Sequence, residues 1–440
     1  MRLFGCVIIV IPVILYFFFC NKKKGFFAPK NTYTFLYIIK IVISVITFSN
    51  PDNITEENDY LREAMLNDDS FFNFCILQSI GYILVLYGIN YFEKHIVVPR
   101  RKTDTIIGNK VSESYLFWGT SFFIIGALGF ILIMNKVGGI WYFFSNLQLR
   151  RYLVSDLDFE SMMLSFVNKG PLLLIFAKKY TGKKISFFDV MLVVAAGIMS
   201  GLGGRKALIM LSIECVFIYH FAIQKIRFRV FLKPSYIVAS IVLFLFFSTY
   251  SKFRREGAMD DFLENPVGFY FENSEGGIMS SLSEESYVPF YVLIINHFTN
   301  HEYWYGASFH GLATAIIPSS FYPQKPPVDD GMYLYSIAQG RSDVHPVMPT
   351  KSLNGTSWPL ETFGSMYANF GFVGVLGGML ILGLVIGWFY KKMILENFSF
   401  LWLTMYIEVI FTFELSTLRI FQTFLTFITM ALVYLFVKKI

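Results

Sequence analysis

Apolar runs of about 17–23 residues recur from one end of this 440-residue chain to the other, separated by short clusters of lysine and arginine. A helix of that length covers ~30 Å, the thickness of a bilayer's hydrocarbon core. Only 15% of residues are charged and 55% are apolar, too little polar surface to coat a water-soluble globule. The pattern predicts an all-α polytopic membrane protein with spans at 3–20, 33–49, 71–91, 116–134, 160–177, 185–200, 207–223, 235–250, 368–390, 398–413 and 420–437. That is about eleven helices, within a range of 10–13. Lys22, Lys23 and Lys24 follow the first run where a signal peptide would carry a small-residue cleavage site, which argues for a retained span. A net charge of +6 does not point to nucleic acid, because the basic residues sit in loops between spans.

Those loops set the orientation. One set holds 21 lysines and arginines, among them Lys22–Lys24, Arg100–Lys102 and Lys391–Lys392, and the other holds eight. The richer side is cytoplasmic by the positive-inside rule. The polar sequence then lies outside: an acidic loop at 50–70, an aromatic stretch at 135–159 that reads as an interfacial helix, and a long segment at 251–367. The organisation expected is membrane helices over 1–250, a large outer segment over 251–367 that dips partly into the membrane, and further membrane helices over 368–440. Residues 286–298 are too short to cross, and 303–322 read as a re-entrant or surface helix. Lys40, inside a span, is expected to reach the interface with its long stem.

No P-loop, Gly-rich nucleotide fingerprint or zinc motif occurs, so chemistry is expected on the outer side without nucleotides, metal or other cofactor. A substrate used there arrives already activated, and a lipid-linked diphosphate is the natural form. The outer arginines suit it, since a guanidinium bonds two phosphate oxygens at once. The candidates are Arg150 and Arg151; Arg205 and Lys206, which follow the Gly201-Leu-Gly-Gly turn at a helix start; Arg254 and Arg255; Arg341; and Arg419. His345 and Glu361 are the candidate bases.

Two stretches of the long outer segment carry a family likeness. The first runs Tyr305-Gly306, Ile317-Pro318, Phe321 to Pro323, Lys325-Pro326. The second runs His345-Pro346, Pro349, Gly355 to Ser357, Glu361, Gly364, Tyr367, Asn369 to Gly371, Gly374. With many spans and one long late outer loop, the chain resembles the O-antigen polymerases, the Wzy family of oligosaccharide repeat-unit polymerases. The resemblance implies a bacterial inner-membrane enzyme with its active site facing the periplasm. Such an enzyme transfers a growing glycan from undecaprenyl diphosphate to the terminal hydroxyl of a new lipid-linked repeat unit. It implies roles for Lys325 and Tyr367 in holding glycan or diphosphate, for Arg205 in catalysis, and for a chain-length regulator as a possible partner besides the bilayer. An O-antigen ligase-like transferase and a flippase for the same lipid-linked unit are the alternatives.

Overall fold

The computed structural model describes residues 1–19, 25, 27–54, 58–94, 96, 105–154, 157–202, 204–226, 234, 261, 262, 264, 265, 268, 269, 286–317, 321–353 and 355–438. All regular secondary structure among these residues is helical. Six helices are long and apolar enough to cross a membrane: Pro29–Phe48, Asp68–Glu93, Val111–Val137, Phe159–Thr181, Glu361–Leu395 and Thr417–Val437. The chain is therefore an α-helical membrane protein. Four more of the expected spans coincide with shorter apolar helices, Arg2–Phe18, Phe187–Gly201, Ala207–Ile223 and Phe400–Phe411. The span at 235–250 lies outside the described residues.

The chain divides into two compact units. The first comprises Met1–Val98, Ile278–Glu396 and Glu408–Thr429. Its frame is helix Asp68–Glu93 packed along Glu361–Leu395. Asn67 caps the former by accepting from Asp69 N and Ser70 N, and Asp68 and Asp69 in its first turn suit the helix dipole. Glycines let the two backbones touch: a β-carbon on Gly383 would lie 2.3 Å from the Val85 carbonyl oxygen, and one on Gly88 2.7 Å from Leu384 N. At one end of this frame Arg2 bonds Asp68 (2.6 Å) and the Phe48 carbonyl (3.0 Å). At the other end Lys30 meets Asn90 (2.5 Å) and Glu93 (3.4 Å), and Lys391 lies over the Phe92 ring. The lysines assigned to the richer loops thus gather at the end opposite Arg2.

Helix Glu361–Leu395 is broken inside at Gly371, at φ 61° and ψ −144°. There the chain turns back on itself. A β-carbon on Gly374 would lie 2.2 Å from the Met366 carbonyl oxygen, and one on Gly378 2.3 Å from Met366 Cγ. In an unbroken helix residues 366 and 378 would stand ~18 Å apart. So 361–370 is a short arm folded against a crossing arm that starts at 372, and Glu361 sits at the deep end of the short arm. The re-entrant element of this unit is here. Residues 303–322, expected as a re-entrant or surface helix, hold the 3₁₀ turn Ala307–Phe309 and the short helix His310–Thr314, with 318–320 outside the described residues. An alanine at 371 would force a side chain into positive φ and place its Cβ 2.7 Å from Tyr303 Cζ. Gly371→Ala is expected to cost ~2–3 kcal/mol. Thermal unfolding in detergent checks this, and an unchanged melting temperature would contradict the hairpin.

The second unit comprises Pro99–Gly277, Asn397–Ile407 and Met430–Ile440. Helix Thr105–Val137 packs on Asp158–Leu164 and Lys169–Thr181, again through glycine: a β-carbon on Gly126 would lie 2.4 Å from Val167 N. Phe187–Gly201 opens with a capping box between Ser186 and Asp189, and Asp189 also takes Lys178. It turns at 202–204 into Arg205–Ile218, and Gly197 meets Leu208. The 135–159 stretch is not one interfacial helix. Gly138 and Gly139 (φ 102° and 104°) end helix Thr105–Val137, and the rest divides into Ile140–Ser145, Leu147–Leu149, Arg150–Leu153 and the start of Asp158–Leu164. Ile140, Trp141 and Tyr142 remain exposed, as an aromatic membrane-interface face requires.

Candidate functional site

The first unit carries a cluster of charged groups inside an otherwise apolar bundle. Helix Pro29–Phe48 contains a π-helical stretch, Ile38–Val42, centred on Lys40. Such widenings insert a residue and re-aim the side chains around it, often at functional sites. Lys40 Nζ lies 3.3 Å from Glu361 Oε1. Lys40, expected to stretch to the interface, instead turns to a carboxylate, which offsets part of the cost of its charge within a span. Tyr291, from helix Val288–Phe298, donates to Glu361 Oε2 at 2.7 Å. Glu361 is 9% exposed, and its backbone is in the left-handed region at φ 48°. A non-glycine residue held there costs about 1–3 kcal/mol and persists only where its surroundings fix it.

Glu414, in the loop before the last helix, joins this cluster. Its Oε2 accepts from Thr362 N (3.2 Å) and from the Thr362 hydroxyl, which itself accepts from Leu415 N (2.9 Å). Burial, and then the neighbouring negative charge of Glu361, push the Glu414 carboxyl up to about 7. Glu414 therefore exchanges a proton near neutral pH, the condition for general acid–base work. Tyr287 stands close enough to register all four charges. Burial and then Glu361 raise its hydroxyl, while Lys40 and Arg419 act in the opposite sense. Arg419, also bonded to Gln422 (3.0 Å), thus lies within electrostatic reach of the group.

A second buried carboxylate braces the hairpin. Asp330 Oδ2 accepts from Ser365 Oγ (2.9 Å) and Thr417 N (3.4 Å), and Asp330 N donates to Thr417 Oγ1 (3.3 Å). This ties the short arm to the start of the last helix. Burial raises the Asp330 carboxyl to about 6. Higher on the same arm, Asn369 Oδ1 accepts from Gly306 N and Ser308 Oγ, which fastens the motif stretches 305–308 and 361–371 together.

A partly open cavity runs beside the cluster, lined by Lys40, Gln78, Tyr291, Glu361, Glu414 and aromatic and aliphatic side chains. About 50 Å³ of it is open to the centre of a water molecule, room for on the order of four waters. Gln78 lies ten residues, ~15 Å, along its helix from Asp68.

The sequence-derived candidates divide. Glu361 belongs to this cluster, and Arg419 bonds Gln422 within electrostatic reach of Tyr287. Tyr367 is buried on the short arm, edge-on to Tyr303 at 5.9 Å and parallel to Phe363 at 6.3 Å. His345 is exposed, its Nδ1 2.9 Å from the Pro346 carbonyl. Arg341 grips Asp343 with two nitrogens (2.7 and 3.0 Å) and the Ser352 carbonyl (2.7 Å). Lys325 bonds the Ile317 carbonyl at 2.9 Å. The partners of these three lie within 317–352, so they hold the loops of that stretch together. In the second unit, Arg150 meets the glycine turn: its Nη1 lies 2.9 Å from where a β-carbon on Gly204 would stand. Arg205 and Lys206 open the helix after that turn, and Arg151 follows Arg150 in its short helix. Arg254 and Arg255 lie outside the described residues.

Lys40, Gln78, Tyr291 and Glu414 were not among the candidates. Lys40 and Gln78 were visible as polar residues inside apolar runs, and Glu414 as an acid in a short loop between two of them. Nothing in the spacing joins Lys40 to Glu361, 321 positions away. Among the described residues no group of three or more His, Cys, Asp or Glu is placed to hold a metal ion. Compared with known proteins, the chain matches no family model, no curated protein and no solved structure.

Proposed function

We propose that this chain is a membrane glycan polymerase of the O-antigen polymerase kind. It would transfer a glycan from undecaprenyl diphosphate to a hydroxyl of a new lipid-linked repeat unit. The observation that carries the reading is the buried Lys40–Glu361–Tyr291–Glu414 cluster at the foot of a re-entrant hairpin. That hairpin is built from the segment that bears the family likeness. Glycosyl transfer needs a base near its working pKa, an electrostatic partner for charge that develops at the reacting centre, and cations for the departing diphosphate.

In this reading Glu414 takes the proton from the acceptor hydroxyl. The hydroxyl oxygen bonds to the anomeric carbon as the bond from that carbon to the diphosphate breaks, and the electron pair leaves with the diphosphate. Glu361, fixed by Lys40 and Tyr291, faces the positive charge that builds on the sugar. Arg419, within electrostatic reach of Tyr287, would supply a cation for the departing diphosphate. The start of helix Arg205–Ile218, with Arg150 against Gly204, would be a further place for an anion. His345 and Arg341 have structural partners and act in shaping the outer loops.

An intramembrane Lys–Glu pair also serves ion-coupled transport, so flipping of the same lipid-linked unit is the competing reading. Purified protein in nanodiscs, given undecaprenyl-diphosphate repeat units without nucleotides, is expected to build a ladder spaced by one repeat. Folded protein that builds no ladder but transfers glycan to lipid A core, or flips the unit across a bilayer, would replace polymerisation by ligation or transport.

A further inference from the structure

The short arm of the hairpin opens without a cap of its own. Leu360, the residue before its first turn, makes no side-chain capping bond. The first N–H groups of a helix have no partner inside it, so an oxygen must come from elsewhere. Glu414 brings one from 52 positions away: its Oε2 accepts from Thr362 N at 3.2 Å and from the Thr362 hydroxyl. The carboxylate thereby also meets the positive end of the arm's dipole.

The hydroxyl points one way. Leu415 N donates to Thr362 Oγ1 at 2.9 Å, and a backbone N–H can only donate. The hydroxyl proton is then left for Glu414 Oε2. Thr362 is fully buried, so bulk solvent does not compete for it. Two donors of one residue are thus fixed on one oxygen, and among the described residues Oε1 has no hydrogen bond.

A cap needed only for stability would be a serine, threonine, asparagine or aspartate at 360. The arm instead uses a carboxyl that burial and then Glu361 drive toward its neutral form, while Lys40 and the Thr362 donors act the other way. Donors held on a carboxylate favour its ionised state, the state a base needs.

We propose that Thr362 is the positioning residue of the Glu414 base: its hydroxyl and N–H together hold Oε2 and leave Oε1 as the oxygen that exchanges the proton. The inference rests on the polymerase reading for the word base; the hold on the carboxylate does not.

The test removes the hydroxyl and then restores it. Thr362→Val lacks the donor at nearly the same shape, Thr362→Ala lacks it where the second methyl of valine disturbs folding, and Thr362→Ser keeps it. In nanodiscs, the infrared carbonyl band of the protonated carboxyl is followed through the neutral pH range, with each spectrum differenced against the same protein carrying Glu414→Gln as well. The titratable groups around Glu414, namely Glu361, Lys40, Tyr33, Tyr287 and Tyr291, stay in place throughout. The wild-type midpoint is expected near 7, with Thr362→Ser beside it. The donor-less variants are expected to titrate higher by about one pH unit, the effect of losing one hydrogen bond to a charged group. A donor-less midpoint equal to the wild-type one would overturn the proposal, as would a serine variant that titrates with valine. The pH profile of kcat/KM for repeat-unit transfer should move by the same amount. A rate reduced at every pH with an unmoved midpoint would make Thr362 a structural cap only and overturn its positioning role. Absence of any ladder would fall on the polymerase reading, with the infrared titration still deciding the hold on Glu414.

Discussion

Lys40→Met is expected to destabilise the protein by about 1–3 kcal/mol and to reduce glycan transfer by at least a hundredfold. Removing one member of a buried ion pair costs about 3–5 kcal/mol, because the remaining charge stays buried without compensation. The Lys40 side chain is 38% exposed against 11% for Glu361, so solvent screens part of that cost and the lower range applies. Glu361→Gln is expected to cost a similar amount, since it leaves the ammonium unpaired. The double variant Lys40→Met/Glu361→Gln removes both charges and is expected to recover most of the lost stability. It should recover none of the activity, because the fixed carboxylate is gone. A coupling energy of at least about 1 kcal/mol between the two sites, from unfolding of all four proteins in the same detergent, checks the pair. Additive losses would place Lys40 outside the cluster.

The second large effect is a pair of opposite pH slopes. Glu414 and Asp330 both have carboxyls raised by burial, to about 7 and about 6 from ordinary values of 4.5 and 3.8. A carboxyl raised on folding favours the folded state in its protonated form. Its stabilisation is complete below the unfolded value and is lost as pH climbs through the folded value. Stability should therefore fall between pH ~4 and ~7.5, first through Asp330 and then through Glu414. Transfer runs the other way. A base must be ionised to accept a proton, so kcat/KM should rise through an apparent pKa near 7. Glu414→Gln should flatten the upper part of the stability profile and leave the lower part, which belongs to Asp330. Melting temperatures and initial rates collected across that range check both slopes. Stability that rises from pH 5 to 8 would contradict the protonation states assigned to these groups.

Hydropathy located the membrane helices well because burial in lipid demands long, nearly uncharged runs, and little else produces them. Six runs became long apolar helices and four became shorter ones at the expected positions. In the first unit Lys30 and Lys391 lie at one end and Arg2 at the other. The hairpin at Gly371 was not legible. Residues 368–390 read as one apolar run, and a glycine within it looks the same whether it packs a helix or reverses one. Only its φ of 61° and the Met366 contacts with Gly374 and Gly378 separate the two. The motif segment containing Glu361 stood out, yet its partners did not, because Lys40 and Glu414 reach it from elements remote in the chain. The π-helical stretch that aims Lys40 leaves no trace in periodicity over five residues. The candidate arginines shared one charge but not one place. Arg419 bonds Gln422 within electrostatic reach of Tyr287, Arg150 lies on the glycine turn of the other unit, and Arg341 is held by Asp343.

The measurement that bears most directly on the central claim is ladder formation by Glu414→Gln beside the wild type. Both are reconstituted in nanodiscs with undecaprenyl-diphosphate repeat units at pH 7.5. Chemistry at the buried cluster predicts a full ladder from the wild type and a rate lower by about 10²–10⁴-fold from the variant, with its melting temperature preserved. A Glu414→Gln protein that builds the ladder at the wild-type rate would contradict it.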